Sequence, residues 1–192
     1  MTKSRVYSLA SLFVVLGLGA FTAVSAALDY PLAKPQTAVN SGNPAPEFTL
    51  NDQDGNSVSL SSFRGHKVLL MFYRAHWCPY CMAQLADVAK HKAEFERIGV
   101  KVVAVSLDTQ EYLKKVHSDV VKKQFPVLGD PEGRVVRAYG LLDSVSSRKG
   151  DIAIRTSVLI DENGVEQWRR VSESAADNQT AAQLLERIQQ SK

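Results

Sequence analysis

The stretch MFYRAHWCPYC, residues 71–81, joins the end of an apolar run to the chain's only two cysteines, which stand three residues apart. The run VLLMFY, residues 68–73, is short and continuous, as expected of a strand buried on both faces. Pro79 favours a helix that begins at about Cys78 to Cys81, because it presets the first turn without wasting an amide. Unpaired amides and the helix dipole stabilise a thiolate there, and the thiolate is the reactive form of cysteine. The stretch therefore predicts a redox-active pair in which one sulfur attacks and the other closes a disulfide.

The residues around the pair allow alternatives. A purely structural disulfide is one, but a bridge across so short a loop removes little entropy from the unfolded chain. Trp77 is predicted to shield the sulfur and, with Pro79, to form the substrate-binding surface; its alternative is plain core packing. His76 is a candidate base, and its alternative is an ordinary solvated loop histidine.

Outward from this stretch, hydrophobic periodicity and turn signals alternate between strands and helices. The predicted strands are a hairpin in FTLNDQDGNSVSL around Asp54 and Gly55, then VLLMFY, VKVVAVSLD, FPVLGD, TSVLID and, after an Asn163–Gly164 turn, VEQWRRV. The predicted helices run from the cysteines to Gly99, from about 109 to 123, from Pro131 to Gly140, and from about 180 to 190 with Asp177 or Asn178 as the cap. This order predicts an α/β fold with a mixed central sheet flanked by helices.

The pattern of the N-terminal region predicts a targeting segment. Residues 1–26 have a basic start, an apolar middle and a small-residue end, which are the three parts of a secretory signal peptide. An uncleaved membrane anchor is the alternative, although the apolar run is short for a spanning helix. Residues 27–43 are predicted to be a linker and residues 44–192 the folded domain. The protein is therefore expected to be exported, either periplasmic or secreted, and to meet a membrane only if the leader stays.

The charge balance gives no reason to expect a nucleic-acid partner. The chain's 23 basic residues include Lys3 and Arg5 of the leader, so the rest nearly balance the 20 acidic residues. The charges are interspersed, which is typical of solvated helix faces.

Longer segments carry a family resemblance. WCPYC after a buried strand resembles the redox site of the thioredoxin fold, while GNPAPEFTLNDQDGNSVSLSSFRGHKVLLMFY and FPVLGDPEGRVVRAYGL resemble the peroxiredoxin branch, the alkyl hydroperoxide reductase and thiol-specific antioxidant family. The resemblance covers about residues 42–171. It implies a thioredoxin-like fold whose mixed central sheet is flanked by helices and preceded by an N-terminal β-hairpin.

The resemblance also implies a role for an arginine. Thioredoxins place a cis-proline before the strand that faces the disulfide, whereas IRTSVLID has Arg155 there and no proline. Peroxiredoxins carry an arginine before a matching strand, which implies that Arg155 stabilises the attacking thiolate and orients the peroxide. A fixed guanidinium beside a thiolate lowers the thiol pKa and can bind peroxide oxygens. A surface arginine at a strand start is the alternative.

The cysteine pair departs from the family pattern P-x-x-x-T-x-x-C. Placing Cys81 at the pattern's cysteine puts Arg74 at the proline and Cys78 at the threonine; placing Cys78 there puts Met71 and Ala75 at those points. The loop length favours Cys81 as the attacking residue. The resemblance to thioredoxin favours Cys78, which corresponds to the more exposed cysteine of that fold. Which sulfur attacks first stays open.

The resemblance implies an exported thiol peroxidase that reduces hydroperoxides through a Cys78–Cys81 disulfide, without metal, flavin or haem. Regeneration would need an external dithiol reductant, such as a thioredoxin-like protein. The alternatives are a thiol-disulfide oxidoreductase acting on protein cysteines, a redox-silent scaffold, and a Cu(I)-binding chaperone, since soft thiolates select Cu(I).

Overall fold

The computed structural model describes residues 42–145, 147, 150–174 and 177–191. The predicted signal peptide, 1–26, and most of the predicted linker, 27–43, lie outside these residues, so both stay predictions. The elements are, in chain order, β1 (Thr49–Asn51), β2 (Ser57–Ser59), a 3-10 turn (Leu60–Phe63), β3 (Lys67–Phe72), α1 (Pro79–Lys90), α2 (Lys92–Arg97), β4 (Val100–Ser106), α3 (Gln110–Lys115), a π-helical turn (Val116–Val120), β5 (Val127–Gly129), α4 (Arg134–Ala138), β6 (Leu142–Asp143), β7 (Ile152–Ala153), β8 (Thr156–Ile160), β9 (Glu166–Val171) and α5 (Ala181–Gln190).

Seven of these strands form one mixed sheet in the order β2-β1-β5-β4-β3-β8-β9, and β6 pairs with β7 separately. The β3–β4 and β4–β5 pairs are parallel, whereas β3–β8, β8–β9, β1–β5 and the β1–β2 hairpin are antiparallel. The predicted fold class, an α/β thioredoxin-like fold with a mixed sheet and an N-terminal hairpin, is confirmed.

The central strand β3 divides the core into two layers. Successive side chains of a strand point to opposite faces, and β3 is buried on both faces. One layer contains Leu69 and Met71 together with both cysteines, and the other contains Leu70 and is closed by residues from α4. The cysteine pair is therefore built into the apolar layer under α1.

The hairpin turn is fixed by a buried carboxylate. Asp52 Oδ1 accepts hydrogen bonds from the amides of Asp54 and Asn56, each at 2.8 Å, and its Oδ2 accepts one from the Asn56 side chain at 3.2 Å. Burial raises the pKa of Asp52, but the hydrogen bonds from Asn56, Asp54 and Gly55 outweigh it, so this pKa lies below its ordinary value. The hairpin therefore depends on an ionised Asp52.

A buried ion pair stabilises β9. Arg169 donates to Glu166 through Nε and Nη2, both at 2.6 Å, and through Nη1 to the carbonyl of Tyr139 at 2.9 Å. Only 12% of the Arg169 side chain and 3% of the Glu166 side chain are exposed. Hydrogen bonding to Glu166 raises the pKa of Arg169 despite the burial. Every charge in this pair therefore has a partner.

The helix predicted to run from the cysteines to Gly99 is two helices in the structure. The helix after the cysteines stops at Lys90, and α2 carries the chain on to Arg97. His91 lies between them, and its Nδ1 hydrogen bonds to the carbonyl of Asp87 at 2.8 Å while its amide donates to Val88. The ring thus takes the carbonyl that the next amide of an α-helix would use, which breaks the helix.

Two other helix starts differ from the prediction. Helix α4 begins at Arg134 rather than Pro131, because the carboxylate of Asp130 accepts from the amides of Arg134 and Val136 at 3.0 and 2.8 Å, and Gly133 before them is left-handed. Helix α5 is capped by Thr180, whose capping box with Gln183 is complete. The predicted caps, Asp177 and Asn178, have other partners.

Candidate active site

The cysteine pair lies where parallel strands end. The carboxyl ends of β3 and β4 and the amino end of β8 meet at one edge of the sheet, because Phe72 pairs with both Val105 and Thr156. In open α/β sheets, ligands bind outside the carboxyl ends of the strands. The loop that follows β3 carries the two cysteines at this edge.

The first turn of α1 holds both sulfurs. The amide of Cys78 donates to the carbonyl of Ala75 at 3.1 Å, Cys78 is the N-cap, and Pro79 is the first helical residue, as predicted. The amide of Cys81 donates to Cys78 Sγ at 3.3 Å. The two residues form a disulfide with their Cα atoms 5.3 Å apart. They are buried, with 4% of Cys78 and 1% of Cys81 exposed.

This geometry favours an anion on Cys78 once the disulfide is opened. An N-cap sulfur accepts an amide that has no intrahelical partner and lies at the positive end of the helix dipole. Both effects lower the pKa of a thiol. The arrangement thus stabilises the form of cysteine that attacks peroxides and disulfides.

Trp77 and Pro79 lie on either side of Cys78. Trp77 is partly buried and packs against the apolar layer that contains both cysteines. The guanidinium carbon of Arg74 lies 5.7 Å from the Trp77 ring centroid, within the range of a cation–π contact. Pro79 is exposed, and the next residue, Tyr80, is 46% exposed. Together they form the surface beside the buried disulfide; their predicted role in substrate binding stays a prediction.

Arg155 reaches this loop through an asparagine. Its guanidinium donates from Nη1 to Asn178 Oδ1 and from Nη2 to the carbonyls of Ser174 and Asp177 at 2.8 and 3.0 Å. Asn178 Nδ2 in turn donates to the carbonyl of Tyr80 at 3.0 Å. Arg155 is 4% exposed, so it is no surface arginine. The Asn178 side chain alone separates Arg155 from the backbone of Tyr80, one of the two residues between the cysteines.

Two guanidinium groups share this edge of the sheet. Burial lowers the pKa of Arg155, the charge of Asp177 opposes that shift, and the charge of Arg74 lowers this pKa further. The Nε of Arg74 is buried and has no hydrogen-bond partner among the described residues. Arg74 and Arg155 thus place two cations at the edge of the sheet that carries the cysteine loop, and a nearby cation favours a thiolate.

The pairing of His76 with Asp108 was not predicted from the sequence. His76 Nδ1 lies 2.8 Å from Asp108 Oδ1, and the amide of His76 donates to Asp108 Oδ2 at 2.8 Å. The imidazole stacks on Tyr112, with ring centroids 3.6 Å apart and planes 4° from parallel. The sequence did contain a signal for this pair. SLD, residues 106–108, ends the predicted strand VKVVAVSLD, and parallel strands place the polar residues at their carboxyl ends at one edge of the sheet.

Tyr73 extends this cluster into the core. Burial raises the pKa of Tyr73 well above its ordinary value, and the nearby charge of Asp108 adds to the increase. Its hydroxyl lies near Ser106 and Asp108 but makes no hydrogen bond of good geometry within the described part of the chain. Tyr73 therefore stays protonated beside Asp108.

Two further findings concern metal binding and membrane spanning. Within the described residues, no group of three or more histidine, cysteine or acidic side chains is placed to hold a metal ion. None of the helices in the described part of the chain is long and apolar enough to cross a membrane.

Comparison with known proteins identifies the family. The AhpC/TSA family matches residues 41–169. A Mycobacterium tuberculosis protein with a provisional peroxiredoxin name is 35% identical over 130 residues, which are 67% of this chain and 82% of that protein. Peroxiredoxin Bcp of Escherichia coli is 32% identical over 128 residues, covering 66% of this chain and 81% of that protein.

A solved structure agrees with these relatives. The crystal structure of peroxidoxin BcpB from Mycobacterium tuberculosis superimposes with a TM-score of 0.64 at 25% identity, covering 73% of this chain and 90% of that one. The family and enzyme class predicted from the sequence are confirmed. The chain thus belongs to the AhpC/TSA family, the peroxiredoxin branch of the thioredoxin fold, and is an oxidoreductase of the thiol peroxidase class.

Proposed function

We propose that this protein is an exported thiol peroxidase that reduces hydroperoxides by cycling Cys78 and Cys81 between dithiol and disulfide. The observation that supports it is the Cys78–Cys81 disulfide at the start of α1 in a chain of the AhpC/TSA family. The two sulfurs need no second subunit and no distant loop to meet.

The cycle has two oxidative steps. In the first, a cysteine thiolate attacks the hydroperoxide O–O bond, the sulfur becomes a sulfenic acid, and the other oxygen leaves as an alcohol or water after taking a proton. In the second, the other thiol displaces hydroxide from the sulfenic acid, which forms the disulfide and releases water. Two thiols are oxidised and one hydroperoxide is reduced, and the balance requires no metal, flavin or haem.

The positive edge of the site supports the first step. Arg155 and the N-terminus of α1 stabilise the attacking thiolate, and a guanidinium can also bind the peroxide oxygens. In this proposal Arg155 does so from the position that Asn178 and the carbonyls of Ser174 and Asp177 hold.

The cycle closes with an external dithiol, such as a thioredoxin-like protein, which reduces the disulfide by thiol exchange. Both sulfurs are buried, so a partner meets the exposed Pro79 and Tyr80 first. These residues and Trp77 form the substrate-binding surface in this proposal.

The decisive experiment compares Cys78→Ser with Cys81→Ser. Each reduced variant is mixed with one equivalent of hydrogen peroxide or an organic hydroperoxide, and the sulfenic acid is trapped and located by mass spectrometry. The variant that still reacts rapidly retains the attacking cysteine. The unsubstituted protein should form the intramolecular disulfide; a peroxide reaction no faster than that of free cysteine would sink the peroxidase proposal.

The same protein tests the rival functions. Rapid reduction of insulin disulfides with little response to peroxide would favour a thiol-disulfide oxidoreductase, which the CPYC motif suggests. Stoichiometric retention of Cu(I) against a competing chelator would favour a copper chaperone. Neither result is expected if the cysteine pair serves peroxide reduction.

Export is supported by the three-part pattern of residues 1–26. Fusing residues 1–43 to an alkaline phosphatase that is active only outside the cytoplasm should give an active enzyme, and N-terminal sequencing should show whether the leader is removed. Inactive phosphatase would argue against a periplasmic or secreted location.

A further inference from the structure

His76 is held more rigidly than a loop histidine needs to be. Its Nδ1 and its amide both bind the carboxylate of Asp108 at 2.8 Å, one to each oxygen, and its ring lies flat on Tyr112. The His76 side chain is 30% exposed and the Asp108 side chain 5% exposed. Three contacts from two elements thus fix a single orientation of the imidazole.

Asp108 is itself fixed by the end of β4. Ser106 Oγ donates to Asp108 Oδ2 at 3.0 Å, and the amide of Asp108 donates back to Ser106 Oγ at 3.2 Å. An ionised carboxylate only accepts hydrogen bonds, so His76 Nδ1 carries the proton and Nε2 presents its lone pair. Nε2 has no hydrogen-bond partner among the described residues. The imidazole is therefore oriented to exchange a proton at Nε2.

Cys78 follows His76 by two residues, in the loop that leads from β3 into α1. His76 and Trp77 occupy the centre of the turn that the Cys78 amide closes on the Ala75 carbonyl. Two residues span at most about 7 Å between Cα atoms, and a base acts directly or through one water. Since both sulfurs are nearly inaccessible, bulk water is a poor acceptor for a thiol proton there.

We infer that His76 carries the proton in the step that closes the Cys78–Cys81 disulfide, and that Asp108 and Tyr112 position it. The inference rests on the proposed peroxidase cycle. His76 Nε2 accepts the proton of the remaining thiol as its sulfur attacks the sulfenic sulfur, and then returns that proton to the departing hydroxide. An S–H and an S–O bond break, an S–S and an O–H bond form, and water leaves with neutral His76 restored.

Several titratable groups surround His76. Asp108 and Tyr112 touch it, Tyr73 lies beneath Asp108, and Glu111 is close enough that the charge of His76 contributes to the lowered pKa of Glu111, after the larger effects of Lys115. Asp108 is the one carboxylate in direct contact with the ring among the described residues. Removing its charge should therefore alter the pH profile of proton transfer.

The experiment isolates the closure step. Reduced protein is mixed with one equivalent of hydrogen peroxide between about pH 5 and 9, quenched in acid, alkylated and analysed by mass spectrometry for sulfenic acid and disulfide. His76→Gln should leave sulfenic acid formation nearly unchanged, slow disulfide closure about 10²-fold and flatten its pH profile. Added imidazole should restore closure in His76→Ala but not accelerate the unsubstituted protein.

His91→Gln is the matched control. His91 also binds a neighbouring aspartate, through the Asp87 carbonyl at 2.8 Å and the carboxylate at 3.6 Å, but it lies at the far end of α1 from the cysteines. The His91→Gln variant should close the disulfide as fast as the unsubstituted protein does. Circular dichroism verifies that each variant is folded; if His76→Gln is not, Asp108→Asn gives the same readout through a changed pH profile.

The outcomes separate this inference from the proposed function. If His76→Gln and His91→Gln close the disulfide with equal rates and pH profiles, His76 is not the proton carrier, although the protein remains a peroxidase. If the unsubstituted protein does not consume peroxide, the proposed function fails first. A slowed closure that imidazole does not restore and whose pH profile is unchanged would assign His76 a structural role only.

Discussion

Replacing Arg155 with methionine tests the link between the site and the C-terminal segment. The substitution removes hydrogen bonds to Asn178, Ser174 and Asp177 from a side chain that is 4% exposed. A hydrogen bond from a charged group contributes about 1.5–3 kcal/mol. Because Ser174 is exposed, water can replace part of this set, so the free energy of unfolding should fall by about 2–4 kcal/mol.

Urea unfolding of the oxidised protein, followed by tryptophan fluorescence, measures this loss. Arg137→Met on the exposed face of α4 is the control and should change the free energy of unfolding by at most about 0.5 kcal/mol. Arg155→Lys keeps the charge but cannot present several donors in a plane. Its free energy of unfolding should therefore lie between those of Arg155→Met and Arg137→Met.

The peroxide reaction of the same variants measures the second role. Sulfenic acid formation should be at least about tenfold slower in Arg155→Met, since the thiolate loses a cation, and Arg155→Lys should recover part of the rate. An Arg155→Met protein that unfolds at the wild-type urea concentration and reacts with peroxide at the wild-type rate would refute both the packing and the electrostatic arguments.

Three other substitutions give independent tests. Asp52→Asn should lower the urea midpoint at neutral pH but not near pH 2, because the pKa of Asp52 is depressed and its stabilisation is complete above about pH 4 and disappears as pH falls. Glu166→Gln should cost about 3–5 kcal/mol in urea unfolding by leaving Arg169 buried without a carboxylate, whereas Glu96→Gln in an exposed pair should cost less than about 1 kcal/mol. Under reducing conditions, Cys78→Ser should be about 1 kcal/mol more stable than Cys78→Ala in thermal unfolding, because the hydroxyl still caps α1.

Local patterns were sufficient for the elements that hold the cysteines. The continuous apolar run before residue 74 predicted β3, and Pro79 placed the start of α1 correctly, because strand burial and helix initiation depend on neighbouring residues. The end of that helix was wrong, since periodicity contains no information that the ring of His91 would take a backbone carbonyl.

Long-range partners were beyond the sequence. Asp108 lies 32 positions from His76, and Asn178 lies 98 positions from Tyr80. Such pairs depend on which strand ends meet in the sheet, and on the exact direction of each side chain. His76 looked solitary in the sequence for this reason, and Asn178 looked like a helix cap.

The anchoring of Arg155 has a consequence for variation in this protein. Two of the acceptors described above for Arg155 are main-chain carbonyls, those of Ser174 and Asp177, which every amino acid supplies. They lie beyond the part of the chain that matches the family, residues 41–169. Substitutions at these two positions should be tolerated as far as this contact is concerned, whereas inserting or deleting one residue between β9 and α5 would shift the carbonyls out of register. For the contacts of Arg155 with Ser174 and Asp177, the length of this segment therefore matters more than the side chains at those two positions.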